Sequence, residues 1–242
     1  MDRWPAIDLR GGRCVRLLQG DYDRETVFAD DPVEQVRRFV DQGARRLHVV
    51  DLDGAKSGSP VQAELIARMV RAAGVPCQLG GGIRSLDTAR AYADAGVSRL
   101  VVGSVAIEQP ELLAAMAAAL PGRIVLGLDA RDGRVAVRGW VDTSPLLATD
   151  VARRCQRLPL AGIVYTDIAT DGMLAGPNLE ALREMLGAVS LPVIASGGIA
   201  VADDVRKVAA LGAEGCIVGR ALYDGGLSLA AALAAAGESA LA

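Results

Sequence analysis

Asp8 and Asp129 close two short apolar stretches that are written almost alike, IDLRGGR from Ile7 to Arg13 and LDARDGR from Leu128 to Arg134. Taken singly, an aspartate at the end of an apolar run is as readily a helix N-cap or the partner of a nearby arginine, here Arg16 or Arg131. Two of them at equivalent positions point further. Carboxylates on opposite sides of one ligand suit acid–base chemistry, provided their surroundings separate the two pKa values so that one donates while the other accepts. Four glycine turns suggest what else the ligand carries. Gly81 and Gly82 stand in GGGIRS, Gly103 and Ser104 in VGS, Gly197 and Gly198 in SGGI, and Gly219 and Arg220 in VGRA. Glycine permits the close approach and positive φ that let backbone amides cradle a phosphate. Two matched pairs of such turns imply a small-molecule ligand phosphorylated at both ends.

Other chemistries find little material. His48 is the only histidine and lies inside an apolar run, which leaves no ready Ser-His-Asp arrangement. Lys56 falls in a loop and Lys207 in a helix, so no strand-end lysine offers a Schiff base. Cys14, Cys77, Cys155 and Cys216 are scattered without zinc-type spacing and read as buried, reduced thiols. No metal is expected. A net charge of -3 with dispersed basic residues argues against nucleic acid, and any anion must be held locally. The apolar runs are shorter than the roughly 20 residues of a membrane helix, and the N-terminus enters a strand-like run without a leader-like stretch. A monomeric, cytoplasmic protein without membrane association is the expectation.

To place these residues, eight short apolar runs near 3–8, 46–51, 76–80, 99–103, 124–129, 162–167, 192–196 and 216–219 read as strands. Helical periodicity fills the segments near 31–43, 61–73, 85–95, 110–120, 144–158, 178–188, 201–211 and 227–236. Asp31-Pro32 and Gln109-Pro110 look like helix starts, and Gly43, Gly74, Gly96 and Gly212 stand where left-handed C-caps belong. Continuous Val/Ile/Leu strands alternating with helices imply a parallel sheet covered outside, and eight units in 242 residues predict one closed (β/α)8 barrel. A doubly wound open sheet is the alternative, without the glycine-rich dinucleotide turn after its first strand. Sliding the chain by 116 residues sets Gly81-Gly82-Ile83 on Gly197-Gly198-Ile199, Asp87 on Asp203, Arg90 on Arg206 and Val102-Gly103 on Val218-Gly219. Asp8 meets Asp129 at a spacing of 121. The α/β (β/α)8 TIM barrel is therefore expected as a single domain over 1–242, built from similar half-barrels of roughly 1–122 and 123–242. The C-terminal strand ends, where barrels carry function, would then bring both aspartates and all four glycine turns to one face.

With these residues in place, the chain resembles the family of histidine-biosynthesis isomerases that convert phosphoribosylformimino-5-aminoimidazole carboxamide ribotide (ProFAR) from aminoaldose to aminoketose. The resemblance rests on PAIDLRGGRCVRLLQGDY (5–22), LHVVDLDGAKSG (47–58), LGGGIR (79–84), GLDARDGRVAVRGW (127–140), YTDIATDGMLAGPN (165–178) and ASGGI (195–199). It implies a cofactor-free, metal-free Amadori rearrangement with Asp8 as general base and Asp129 as general acid. It further implies substrate contacts from Arg16, Thr166 and Asp171. His48 matches a histidine close to the base, a position equally open to a satisfied core residue, and Trp140 either stacks on the ligand or simply packs its loop. Thr170 departs from the family, which usually carries a basic residue before the aspartate at 171. Three rivals remain. A dual-substrate relative also isomerises phosphoribosylanthranilate, and VRGW (137–140), with its arginine at 138, keeps that reading open. The sister cyclase subunit works with a glutaminase, and a noncatalytic barrel would only bind the bis-phosphorylated ligand.

Overall fold

A computed structural model describes residues 1–137, 139–140 and 142–235. Eight parallel strands form the barrel: β1 (Asp2–Arg10), β4 (Leu47–Asp51), β5 (Cys77–Gly80), β6 (Arg99–Val102), β7 (Ile124–Arg131), β10 (Gly162–Asp167), β11 (Val193–Ser196) and β12 (Gly215–Val218). Each pairs with its successor, β12 pairs with β1, and the β7–β10 pairing makes the ring continuous. The open-sheet alternative is excluded by that closure.

The helices between strands are α1 (Pro32–Asp41), α3 (Ala63–Ala73), α4 (Leu86–Asp94), α6 (Pro110–Ala119), α7 (Ala148–Cys155), α8 (Leu179–Ala188) and α9 (Ala202–Ala210), with α10 (Leu229–Ala235) last. Asp31 caps α1 by accepting from the Val33 and Glu34 amides, with Pro32 at the first turn. Gln109 precedes Pro110 at the start of α6 but makes no side-chain cap. The expected C-cap glycines all adopt positive φ. Position 236 of the last expected helix lies outside the described residues.

Apolar side chains pack in two layers. Between sheet and helices lies a continuous core that includes Ile7, Leu47, Leu79, Leu100, Ile124 and Met116. Inside the barrel, Trp4, Ala6, Val125, Val164, Ile194 and Ile217 fill the N-terminal end. The C-terminal strand ends are where barrels of this kind carry function. The four cysteines are free and buried. Burial raises their pKa values, those of Cys14, Cys77 and Cys216 to about 12, so these thiols stay protonated and inert.

Two departures from the sequence reading matter. First, β1 and β7 do not end at Asp8 and Asp129; each continues two residues further, pairing antiparallel with β2 (Arg13–Leu18) and β8 (Arg134–Val137). The connecting turns are Gly11-Gly12 (φ 55° and 79°) and Asp132-Gly133 (φ 51° and 74°), and positive φ at both central residues is the mark of a tight type I′ hairpin. The repeated motif therefore also encodes two hairpins. Second, β3 (Asp21–Ala29) and β9 (Asp142–Leu147) extend those hairpins, so the helix expected from 144 begins only at Ala148. Short helices α2 (Leu52–Ser57) and α5 (Ser104–Glu108) and a 3-10 turn at Arg220–Leu222 complete the loops.

Candidate active site

The C-terminal mouth opens into a cavity of about 260 Å³. All the residues singled out for acid–base, substrate or phosphate roles line it: Asp8, Arg16, Gly81, Gly82, Gly103, Ser104, Asp129, Thr166, Asp171, Gly197, Gly198, Gly219 and Arg220.

Asp8 is pinned by backbone on both sides, pairing with Val15 of β2 and Val50 of β4. Arg16, one pleat along β2, donates to Asp8 Oδ2 at 2.6 Å and to the Ala6 carbonyl at 2.8 Å. The two side chains are only 15% and 14% exposed, so the pair is little screened by water. Burial pushes the Asp8 carboxyl above the usual carboxylate range, while the charge and hydrogen bond of Arg16 pull it back. Arg16 also lies over the ring of Tyr223, whose hydroxyl donates to the same Ala6 carbonyl.

Across the cavity, no cation among the described residues pairs with Asp129. Burial raises its pKa, opposed only by hydrogen bonds from the Trp140 indole and the Thr166 hydroxyl. Trp140 Nε1 donates to Asp129 Oδ2 at 2.7 Å, and Thr166 is the register neighbour of Asp129 on β10. Neither aspartate caps a helix. Of the two arginines that could have neutralised them, Arg16 does and Arg131 is exposed at the end of β7.

Asp171, on the loop after β10, is pushed up to about 7 by burial, with Asp8 and Asp129 adding and Arg16 opposing. Asp8 and Asp171 thus share the buried Arg16 guanidinium, and the charge of Asp129 acts on Asp171 as well. Near neutrality the Asp171 carboxyl is therefore partly protonated.

The glycine turns carry a structural duty that the sequence did not disclose. A Cβ on Gly81 would sit 2.1 Å from the Asp51 carbonyl oxygen, and one on Gly197 would sit 2.6 Å from that of Asp167. Gly82 and Gly198 likewise press against the backbones of Ser59 and Gly176. Asp51 and Asp167, at the ends of β4 and β10, hold those neighbouring loops: Asp51 accepts from the amides of Gly54, Val61 and Gln62, Asp167 from the Thr170 amide and the Asn178 side chain. Thr170, where the family usually carries a basic residue, bends its hydroxyl back to the Asp167 carbonyl at 3.2 Å. Gly103 and Gly219 share an unusual backbone (φ −103°, ψ −86° and φ −104°, ψ −107°) just before α5 and the 3-10 turn. Arg220 is engaged already by Asp224 at 2.6 Å and by the Gly172 carbonyl.

Tyr22, Arg84, Val137 and Leu174 also line the cavity and were not singled out from the sequence. Tyr22 and Val137 come with the two hairpins, whose signal was the alternation around Gly-Gly and Asp-Gly turns. Arg84 was legible as the cation within GGGIR. Leu174 carried no signal. The arginine of VRGW lies outside the described residues. Among the described residues no helix is long and apolar enough to cross a membrane, and no cluster of His, Cys, Asp and Glu could hold a metal ion.

The family described as "Histidine biosynthesis protein" matches residues 4–228. A protein of Synechococcus sp. (strain JA-3-3Ab) is 57% identical over 234 residues, covering 96% of this chain and 90% of its own. Proteins of Synechococcus sp. (strain CC9605), 54% identical with 100% and 96% covered, and of Cyanothece sp. (strain PCC 7425), 52% identical with 98% and 94% covered, are equally full-length matches. All three bear the name 1-(5-phosphoribosyl)-5-((5-phosphoribosylamino)methylideneamino)imidazole-4-carboxamide isomerase.

Proposed function

The chain belongs to the histidine biosynthesis protein family, and we propose that within it the protein isomerises the bis-phosphorylated aminoaldose to the aminoketose by a cofactor-free Amadori rearrangement. The observation that carries this reading is the unequal pair of acids in one cavity: Asp8 is held by Arg16, while the partners of Asp129 among the described residues are the neutral donors Trp140 and Thr166.

That inequality assigns the roles. A general base must be ionised, and the adjacent guanidinium favours the Asp8 carboxylate. A general acid must hold its proton, which burial favours for Asp129, with no cation among the described residues to oppose it. Asp129 protonates the ribose ring oxygen as the C1′–O bond breaks, and the exocyclic nitrogen lone pair completes a protonated Schiff base. Asp8 then removes the proton from C2′, and the electron pair of that C–H bond flows to the iminium to give the enolamine. Tautomerisation yields the ketose. The iminium is the electron sink, so the chain needs only to place two carboxyl groups. Arg16, Thr166 and Asp171 contact the reacting centre. The turns at Gly81-Gly82 and Gly103-Ser104 hold one phosphate, those at Gly197-Gly198 and Gly219-Arg220 the other. The protein acts in the cytoplasm as a single chain, one domain of two similar half-barrels.

A spectroscopic assay with the histidine-pathway aminoaldose tests the reading: turnover without added metal or cofactor is expected, and none under any condition would refute it. Phosphoribosylanthranilate in the same assay should give no appreciable turnover. Conversion of that substrate would make this a dual-substrate enzyme.

A further inference from the structure

The chain has one histidine, and the mechanism above leaves it unused. His48 sits on β4 in register with Ala6 of β1 on one side and Gln78 of β5 on the other. It is 8% exposed and lines the cavity. Gln78 is fully buried, and its amide nitrogen lies 2.9 Å from His48 Nδ1. The direction of that bond follows from what it leaves behind. In that arrangement the Gln78 carbonyl oxygen is left without a partner. Reversing the amide would instead strand both of its N–H groups in the core, and orphaned buried donors are rarer and costlier than under-satisfied carbonyls. Nδ1 therefore accepts. Burial, helped by the charge of Arg16, lowers the His48 pKa to about 3, so the ring carries one proton and that proton sits on Nε2. Among the described residues Nε2 has no hydrogen-bond partner.

We propose that Gln78 is a positioning residue for the isomerisation: it locks His48 as the neutral Nε2–H tautomer, so that the ring donates a hydrogen bond into the cavity beside Asp8, to an oxygen of the sugar. The proposal rests on the isomerase reading above. The opposite tautomer would present only an acceptor there, so a sugar hydroxyl would have to donate to the ring instead of accepting from it, and the ring would compete with Asp8 for the proton. Gln78 never touches the ligand; it acts through the ring.

A lone histidine makes the test direct. In protein labelled with 15N-histidine, one pair of ring nitrogens reports the tautomer without assignment. At neutral pH the wild type should show a protonated Nε2 and an unprotonated Nδ1. Gln78→Glu puts an acceptor against Nδ1 and should move the proton there, lowering kcat/KM roughly ten- to a hundredfold, the scale of one buried hydrogen bond. Gln78→Met, of similar volume and with no hydrogen bond to offer, should give mixed tautomers and an intermediate loss; it carries the test if the buried glutamate prevents folding. A proton on Nδ1 in the wild type would overturn the proposal. So would a Gln78→Met enzyme that keeps both the wild-type ring pattern and a rate within about twofold. Because the ring spectrum needs no substrate, the failures separate: a wild type without turnover sinks the isomerase reading, and a ring protonated at Nδ1 sinks this one.

Discussion

Asp8 and Asp129 stand at matched places in the two halves of the barrel, each on a strand that runs two residues beyond it, turns through two positive-φ residues and returns antiparallel. What the returning segment brings back differs. In the first half it is Arg16, a cation at 2.6 Å; in the second it is Trp140, a neutral donor at 2.7 Å. The frame is shared, but the described partners of the two carboxyl groups differ: a guanidinium beside Asp8, an indole and a hydroxyl beside Asp129. Equal halves would place two acids of equal strength around one ligand, and neither would have reason to give up or keep a proton.

The comparison is broken most severely at the acids themselves. Asp8→Asn should lower kcat by about 10²–10⁴, the usual contribution of a general base, while a bis-phosphorylated product analogue still binds. A loss below about tenfold would remove Asp8 from the role. Next comes Arg16→Met. Arg16 favours the ionised form of Asp8, so its removal raises the Asp8 pKa and the low-pH limb of kcat/KM should move upward by about one unit or more. A limb that stays put would mean that Arg16 serves only binding. Trp140→Phe sharpens the other side. The indole hydrogen bond favours ionised Asp129, so without it Asp129 keeps its proton to higher pH, and the high-pH limb should rise by roughly one unit at most while the low-pH limb stays. Movement of the low-pH limb instead would reverse the two roles. The smallest effect belongs to the shared frame. Gly12→Ala and Gly133→Ala meet no neighbouring atom, so only positive φ opposes them. Each should cost about 1–2 kcal/mol in urea unfolding, to a similar extent. A clear inequality would show that the hairpins are not equivalent.

Much of this was legible because it is periodic. Parallel strands buried on both faces are written as unbroken apolar runs, and β10, buried throughout, is a clear case. The half-barrel repeat then set both aspartates and all the glycine turns on one rim. The hairpins were less legible, since β3 and β9 are largely exposed strands whose apolar residues do not stand out. Asp142–Leu147 in particular carries Pro145, and the helix expected from 144 overlaps its second half. The glycine turns were found for an incomplete reason. Phosphate approach is one use of a missing side chain; the contact of Gly81 and Gly197 with the carbonyls of Asp51 and Asp167 is another, and substitution there disturbs packing before it reports on a ligand.

By itself, the sequence determined the barrel and the matched places of Asp8 and Asp129 on its strands, because these depend on residue types recurring at fixed intervals along the chain. Which acid has a cation beside it, which glycines face a neighbouring loop, and which nitrogen of His48 meets Gln78 were decided only in three dimensions. Each is a contact of a few ångströms between segments distant in sequence or on neighbouring strands, and proton affinity in a buried site is set by such contacts and by the water they exclude.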